Sequence, residues 1–83
     1  MSKDEKIKRI EEMIQVVLKM IPKEIQSRDV YLGVYEKAFN DATRKLFKFL
    51  ADQEEGHEKK LRAVLLILQK EIDNIKSGKE VTS

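Results

Sequence analysis

The 83 residues contain no cysteine and no tryptophan, and only one proline (Pro22), three glycines and one histidine (His57). Without cysteine there is no disulfide, no thiolate nucleophile and no Cys-ligated zinc or iron–sulfur site. The longest apolar run, Ala63 to Leu68, is far shorter than the roughly 20 residues a membrane helix needs. No signal-peptide pattern is visible, so the expectation is a cytoplasmic protein with no membrane partner. The net charge is only +2 and acids and bases are interspersed in both halves. No patch therefore invites nucleic acid or an anionic surface.

What is abundant is the material of long helices. Charged residues make up 39% of the chain and apolar residues 41%, a mixture that suits helices with one solvated face. A chain of this length forms one small domain, and two helices cannot enclose a core by themselves. In the second half, Phe47, Leu50, Glu54, His57, Leu61, Val64 and Leu68 recur at spacings of three and four residues. That puts all seven on one helix face. Five of them are apolar, so the stripe is expected to face a core, and Glu54 and His57 share it. An unpaired buried carboxylate costs several kcal/mol, and a metal ion is the compensator that uses both groups. Glu-x-x-His sets its two ligands about one turn apart on the same side.

The first half carries a matching stripe through Ile7, Ile10, Ile14, Val17, Ile21, Tyr31, Tyr35 and Ala38, with Glu24 on it. If the chain turns near Asn40-Asp41, Glu24 and Glu54 return to nearly the same height. Ser2-Lys3-Asp4-Glu5 fits a capping box, which starts a helix near Lys3. Pro22 cannot donate to the carbonyl of Leu18, so the helix is expected to kink or break near Met20 and Ile21. The reading is an arm helix over about 3–20, core helices over about 22–39 and 41–76, and a frayed tail at 77–83. Asn40 serves as the N-cap of the last helix, and Ser77-Gly78 ends it. Ala63 to Leu68 is apolar around most of the helix circumference, a width that suits either a second subunit or a broad core stripe. Met13 and Met20 read as packing residues. Asp29, Asp52, Glu55 and Glu58 read as surface acids, with Glu58 the exception, since it lies one turn from Glu54 and within reach of a metal or an entry channel.

Glu24 to Tyr31, followed by Leu46-Phe47-Lys48-Phe49-Leu50-Ala51-Asp52-Gln53-Glu54-Glu55-Gly56-His57, resembles the di-iron half-motif of rubrerythrins in the ferritin-like superfamily. The family pattern has a metal Glu, a Tyr seven residues later, and a Leu-Phe-x-x-Leu-Ala segment leading into Glu-x-x-His. The resemblance implies Glu24 as a terminal ligand, Glu54 as a bridging ligand, His57 as a nitrogen ligand and Tyr31 just behind them. The chain departs from the family in carrying one half-motif instead of two, and in having no Cys-rich rubredoxin domain. Gly56 and Glu58 stand where many relatives have a charged residue and Ala. Single-motif chains of the superfamily, the encapsulated ferritins, build the site between subunits.

The fold expected is therefore all-α: an antiparallel long-helix hairpin with an N-terminal arm helix, dimerising into a ferritin-like four-helix bundle. One chain supplies two carboxylates and one imidazole, too few for a dinuclear centre. Two chains complete the ligand set of di-metal carboxylate bundles. The expectation is two iron ions per dimer, with manganese or zinc as alternatives. The chemistry implied is oxidation of Fe(II) by oxygen or peroxide, as a ferroxidase or peroxide-reducing oxidoreductase. A separate reductant or an encapsulating shell would be the partner, with the arm linking dimers into larger homo-oligomers. The alternative is a helical assembly module in which any metal only staples the dimer.

Overall fold

In the computed structural model, which describes residues 1–78, the chain is a hairpin of two long helices, α1 (Lys3–Lys37) and α2 (Asp41–Lys76). Each starts where a side chain can cap it. The Ser2 hydroxyl accepts from the Glu5 backbone N–H at 3.1 Å, and the Asn40 side-chain carbonyl accepts from Thr43 N–H at 2.8 Å. These bonds satisfy donors that a first helical turn leaves without partners. Asp4, Glu5 and Asp41 lie in first turns and Lys37 and Lys76 in last turns, all matched to the helix dipole. α2 ends at Lys76 with Ser77 as its C-cap, and Gly78 follows at φ +74° with its N–H donating to the Ile75 carbonyl at 3.2 Å. That left-handed position is open to glycine without steric cost. The rest of the expected frayed tail, 79–83, lies outside the described residues.

Pro22 does not divide the first half. α1 runs unbroken through it for 35 residues, which corrects the expectation of an arm helix over 3–20 and a separate core helix over 22–39. The physical reason is packing on both sides of the proline. Ile10, Val17 and Ile21 are buried against Leu68 and Ile75 of α2, with Ile7, Ile14, Ile25, Leu61, Leu65 and Ile72 packed around them. Forfeiting one backbone hydrogen bond is outweighed when neighbouring turns on either side are held to the same partner helix. The segment before Pro22 is thus half of the hairpin's own core.

That core fills the end of the hairpin away from the turn. Toward the turn the packing changes to aromatic contacts: Tyr31 meets Phe47 with ring centroids 6.2 Å apart, and the Arg44 guanidinium lies 5.0 Å over the Tyr35 ring. The molecule measures 58 × 20 × 15 Å, with a radius of gyration of 18.3 Å. A compact chain of this length would have a radius near 12 Å. Its accessible surface is 6486 Å², against about 5,100 Å² for a compact 9.7 kDa monomer. The excess is of the order one partner contributes to a stable interface, about 800 Å² or more. Among the described residues, no helix is long and apolar enough to cross a membrane.

Candidate metal centre

Midway along the hairpin, antiparallel pairing brings Glu24 of α1 level with Glu54 and His57 of α2. One ligand atom from each lies within 4.8 Å of the others. His57 Nδ1 is 3.4 Å from Glu24 Oε2 and 3.8 Å from Glu54 Oε2. The same register sets Tyr31 against Phe47, each seven residues from its helix's site carboxylate.

The two acids are mostly enclosed, with side chains 21% (Glu24) and 18% (Glu54) exposed, whereas His57 is 53% exposed. Hydrogen bonding to the Glu24 carboxyl pushes the Glu54 pKa up, aided by desolvation and by repulsion from Glu24; His57 opposes the shift. Two carboxyls pressed together this way cannot both ionise at low cost without a cation nearby.

The flanks of the site differ in character. On one side, Met20, Glu24, His57, Lys60, Leu61 and Val64 line a shallow groove of about 320 Å³. Exposed Met13 and Val16 continue that face along α1, and exposed Ile67 continues it along α2. On the other side the surface is ionic: Arg28 donates to Glu58 at 3.0 Å, Arg62 donates to the same carboxylate at 2.8 Å, and Lys48 pairs with Asp52 at 3.0 Å. The hydrogen bond from Arg62, with the charges of both guanidiniums, holds Glu58 below the usual carboxylate range despite its partial burial.

The family model for Rubrerythrin matches residues 2–65. The chain belongs to the rubrerythrin family. No curated protein and no solved structure gave a match. Membership places the hairpin among ferritin-like, di-metal carboxylate proteins, a family that typically binds iron.

The donor set suits such a metal. Two carboxylates and an imidazole are oxygen-rich, borderline ligands of the kind that divalent iron or manganese takes, and a cation between Glu24 and Glu54 would relieve their repulsion. The structure gathers Glu24, Glu54 and His57 and leaves His57 half exposed on the single hairpin, the core expected for its stripe being one that a second chain completes. A helix stripe wider than one partner helix can cover spills onto the open face. Among the described residues, the Tyr31 hydroxyl makes no hydrogen bond to the three, and its ring packs on Phe47. Glu58 does not join the cluster; both its oxygens are taken by arginines. Arg28 is the residue that sequence reasoning passed over. Glu58 and Arg62 are visible as an i,i+4 pair, but Arg28 lies 30 residues from Glu58, and only the folded register joins them.

Proposed function

We propose that two copies of this hairpin pair through the face bearing Met20, His57 and Val64, and that the four-helix bundle so formed holds two metal ions, iron in the native state. The observation that carries this reading is the meeting of Glu24, Glu54 and His57 within 4.8 Å, with the half-exposed imidazole on the apolar, unpartnered side. One hairpin supplies three donors, and a C2 pair doubles them on the symmetry axis. The four carboxylates of the pair balance two divalent cations. Covering the apolar face would also bury His57 and shield the site from water, which strengthens its electrostatics.

Iron held by Glu24, Glu54 and His57 of the two chains would supply two electrons at once to dioxygen or hydrogen peroxide. With peroxide the balance is two Fe(II) and two protons consumed, two Fe(III) and two waters released. Glu24 and Glu54 hold the charge, and His57 completes the donor set from the open face. Tyr31, fixed by Phe47, keeps an oxidisable ring two turns from Glu24. Repeated turnover would need a separate reductant or an encapsulating shell.

The test is metal content and solution mass of anaerobically loaded protein, followed by its rate of Fe(II) oxidation. Two irons per dimer and oxidation well above the buffer rate support the reading. Metal-free dimers, or bound iron oxidised no faster than in buffer, leave a helical assembly module instead. The breadth of the exposed apolar face favours that second reading, because it calls for a partner with or without metal.

A further inference from the structure

Arg28 follows Glu24 by four residues on α1. An acid one turn before a base is the favoured orientation for an ion pair along a helix. Among the described residues that pair is not made. Arg28 instead contacts Asp29 at 3.8 Å and, across the hairpin, Glu58 at 3.0 Å. The contact with Glu58 is a long reach. Arg28 lies one turn beyond Glu24, Glu58 lies one turn beyond Glu54, and the helices are antiparallel. The two turns therefore fall on opposite sides of the Glu24–Glu54 level, and the two side chains reach toward one another to meet. The guanidinium and the Glu58 carboxylate are mostly enclosed, with side chains 28% and 16% exposed. Glu58 uses Oε1 for Arg28 and Oε2 for Arg62, so each of its oxygens holds one guanidinium.

We propose that Glu58 is a positioning residue of the metal site: it diverts the Arg28 guanidinium from Glu24 and so leaves Glu24 and Glu54 free for metal cations. A guanidinium seated on Glu24 would be a built-in counter-ion, permanently charged and already in place, competing with any divalent ion. Glu58 removes that competitor by offering a carboxylate on the ionic side of the hairpin. The inference rests on the reading of Glu24, Glu54 and His57 as ligands.

The experiment is calorimetric titration of the full-length protein with Zn(II), a probe that does not oxidise, with helicity followed by circular dichroism. Glu58→Gln, which frees Arg28, is expected to weaken zinc binding about tenfold, the cost of displacing one charge-assisted pair. Arg28→Gln added to Glu58→Gln is expected to restore affinity to within about threefold of wild type, because the competitor is gone. Arg62→Gln leaves the Arg28–Glu58 contact and is expected to bind zinc as wild type does. Such rescue by a second substitution is not what a merely structural brace would give. Unchanged affinity in Glu58→Gln, or equal weakening in the single and double variants, overturns the proposal. Should Glu58→Gln lose helicity, Arg28→Gln alone decides: affinity at or above wild type supports the proposal, and a loss overturns it. No zinc binding by the wild-type protein would instead overturn the metal reading itself, and this inference with it.

Discussion

Glu54 illustrates how a helix hairpin prepares a residue for a cation. Its carboxyl hydrogen-bonds that of Glu24, is partly desolvated and is repelled by the same neighbour, which is why its pKa is raised. A raised carboxyl pKa in the folded state means stability that is fully present below the ordinary carboxylate range and lost as pH rises through the raised value. In metal-free protein, Glu54→Gln is therefore expected to melt at the same temperature as wild type in acid and at a higher one near neutrality. Matching melting curves across the pH range, recorded in chelator, would show that the pair carries no such strain. His57 behaves differently because it is half exposed and buries little. His57→Ala is expected to leave the metal-free melting temperature within a degree or two, the small effect usual for an exposed site. It should weaken zinc or manganese binding at least about tenfold, the scale of one lost ligand bond; metal titration beside thermal melts separates the two effects.

Among the elements, α1 carries the more unusual feature, a proline in its interior. The ring removes one hydrogen bond and crowds the preceding turn, a penalty of about 3 kcal/mol in an isolated helix. Pro22→Ala is therefore expected to raise stability by about 1–3 kcal/mol, read as a higher denaturation midpoint with unchanged helicity at low denaturant. A lower midpoint would mean that the proline shapes α1 to its partner and that α1 pairs less well without it. The packing that carries α1 through the proline is concentrated at the far end of the hairpin, where Ile75 is only 1% exposed. Ile75→Ala is expected to cost about 2–5 kcal/mol, as truncations of buried aliphatic residues do. The same change at exposed Leu66 should cost little, so the pair of variants maps the core by chemical denaturation.

For the whole molecule, shape is the main argument. A hairpin 58 Å long with a radius of gyration of 18.3 Å exposes more surface than a compact domain of this mass. Met13, Val16, Met20, Val64 and Ile67 are all exposed and fall on or beside the groove at His57 by helical spacing. If that face pairs with a second copy, sedimentation of the wild type should give about twice the 9.7 kDa chain mass. Val64→Glu, which plants a charge in the contact, should lower both the mass and the metal content. A monomer that retains full metal binding would show that one hairpin suffices. Because residues before Pro22 supply Ile10 and Val17 to the core, deleting 1–20 is expected to unfold the hairpin; it would not trim it to a smaller oligomer.

The helical class, the turn near Asn40, the capping at Ser2 and Asn40 and the convergence of Glu24, Glu54 and His57 could all be read from the linear chain. Each rests on spacing: a period near 3.6 residues fixes which side chains share a face, and capping residues mark where helices begin. Spacing also put the two glutamates at one height, because an antiparallel turn near residue 40 maps one helix directly onto the other. It could not settle Pro22, where a local penalty competes with packing of Ile10, Val17 and Ile21 on a helix some fifty residues away in sequence. Nor could it show how far the stripe outruns a single partner helix, which is why His57 lies on the open side of the hairpin and not in its core. The Arg28–Glu58 bridge is the sharpest case. Two residues on separate helices, neither on a predicted core face, meet only because the folded register brings their turns within reach of one another, and no periodicity within one helix encodes that meeting.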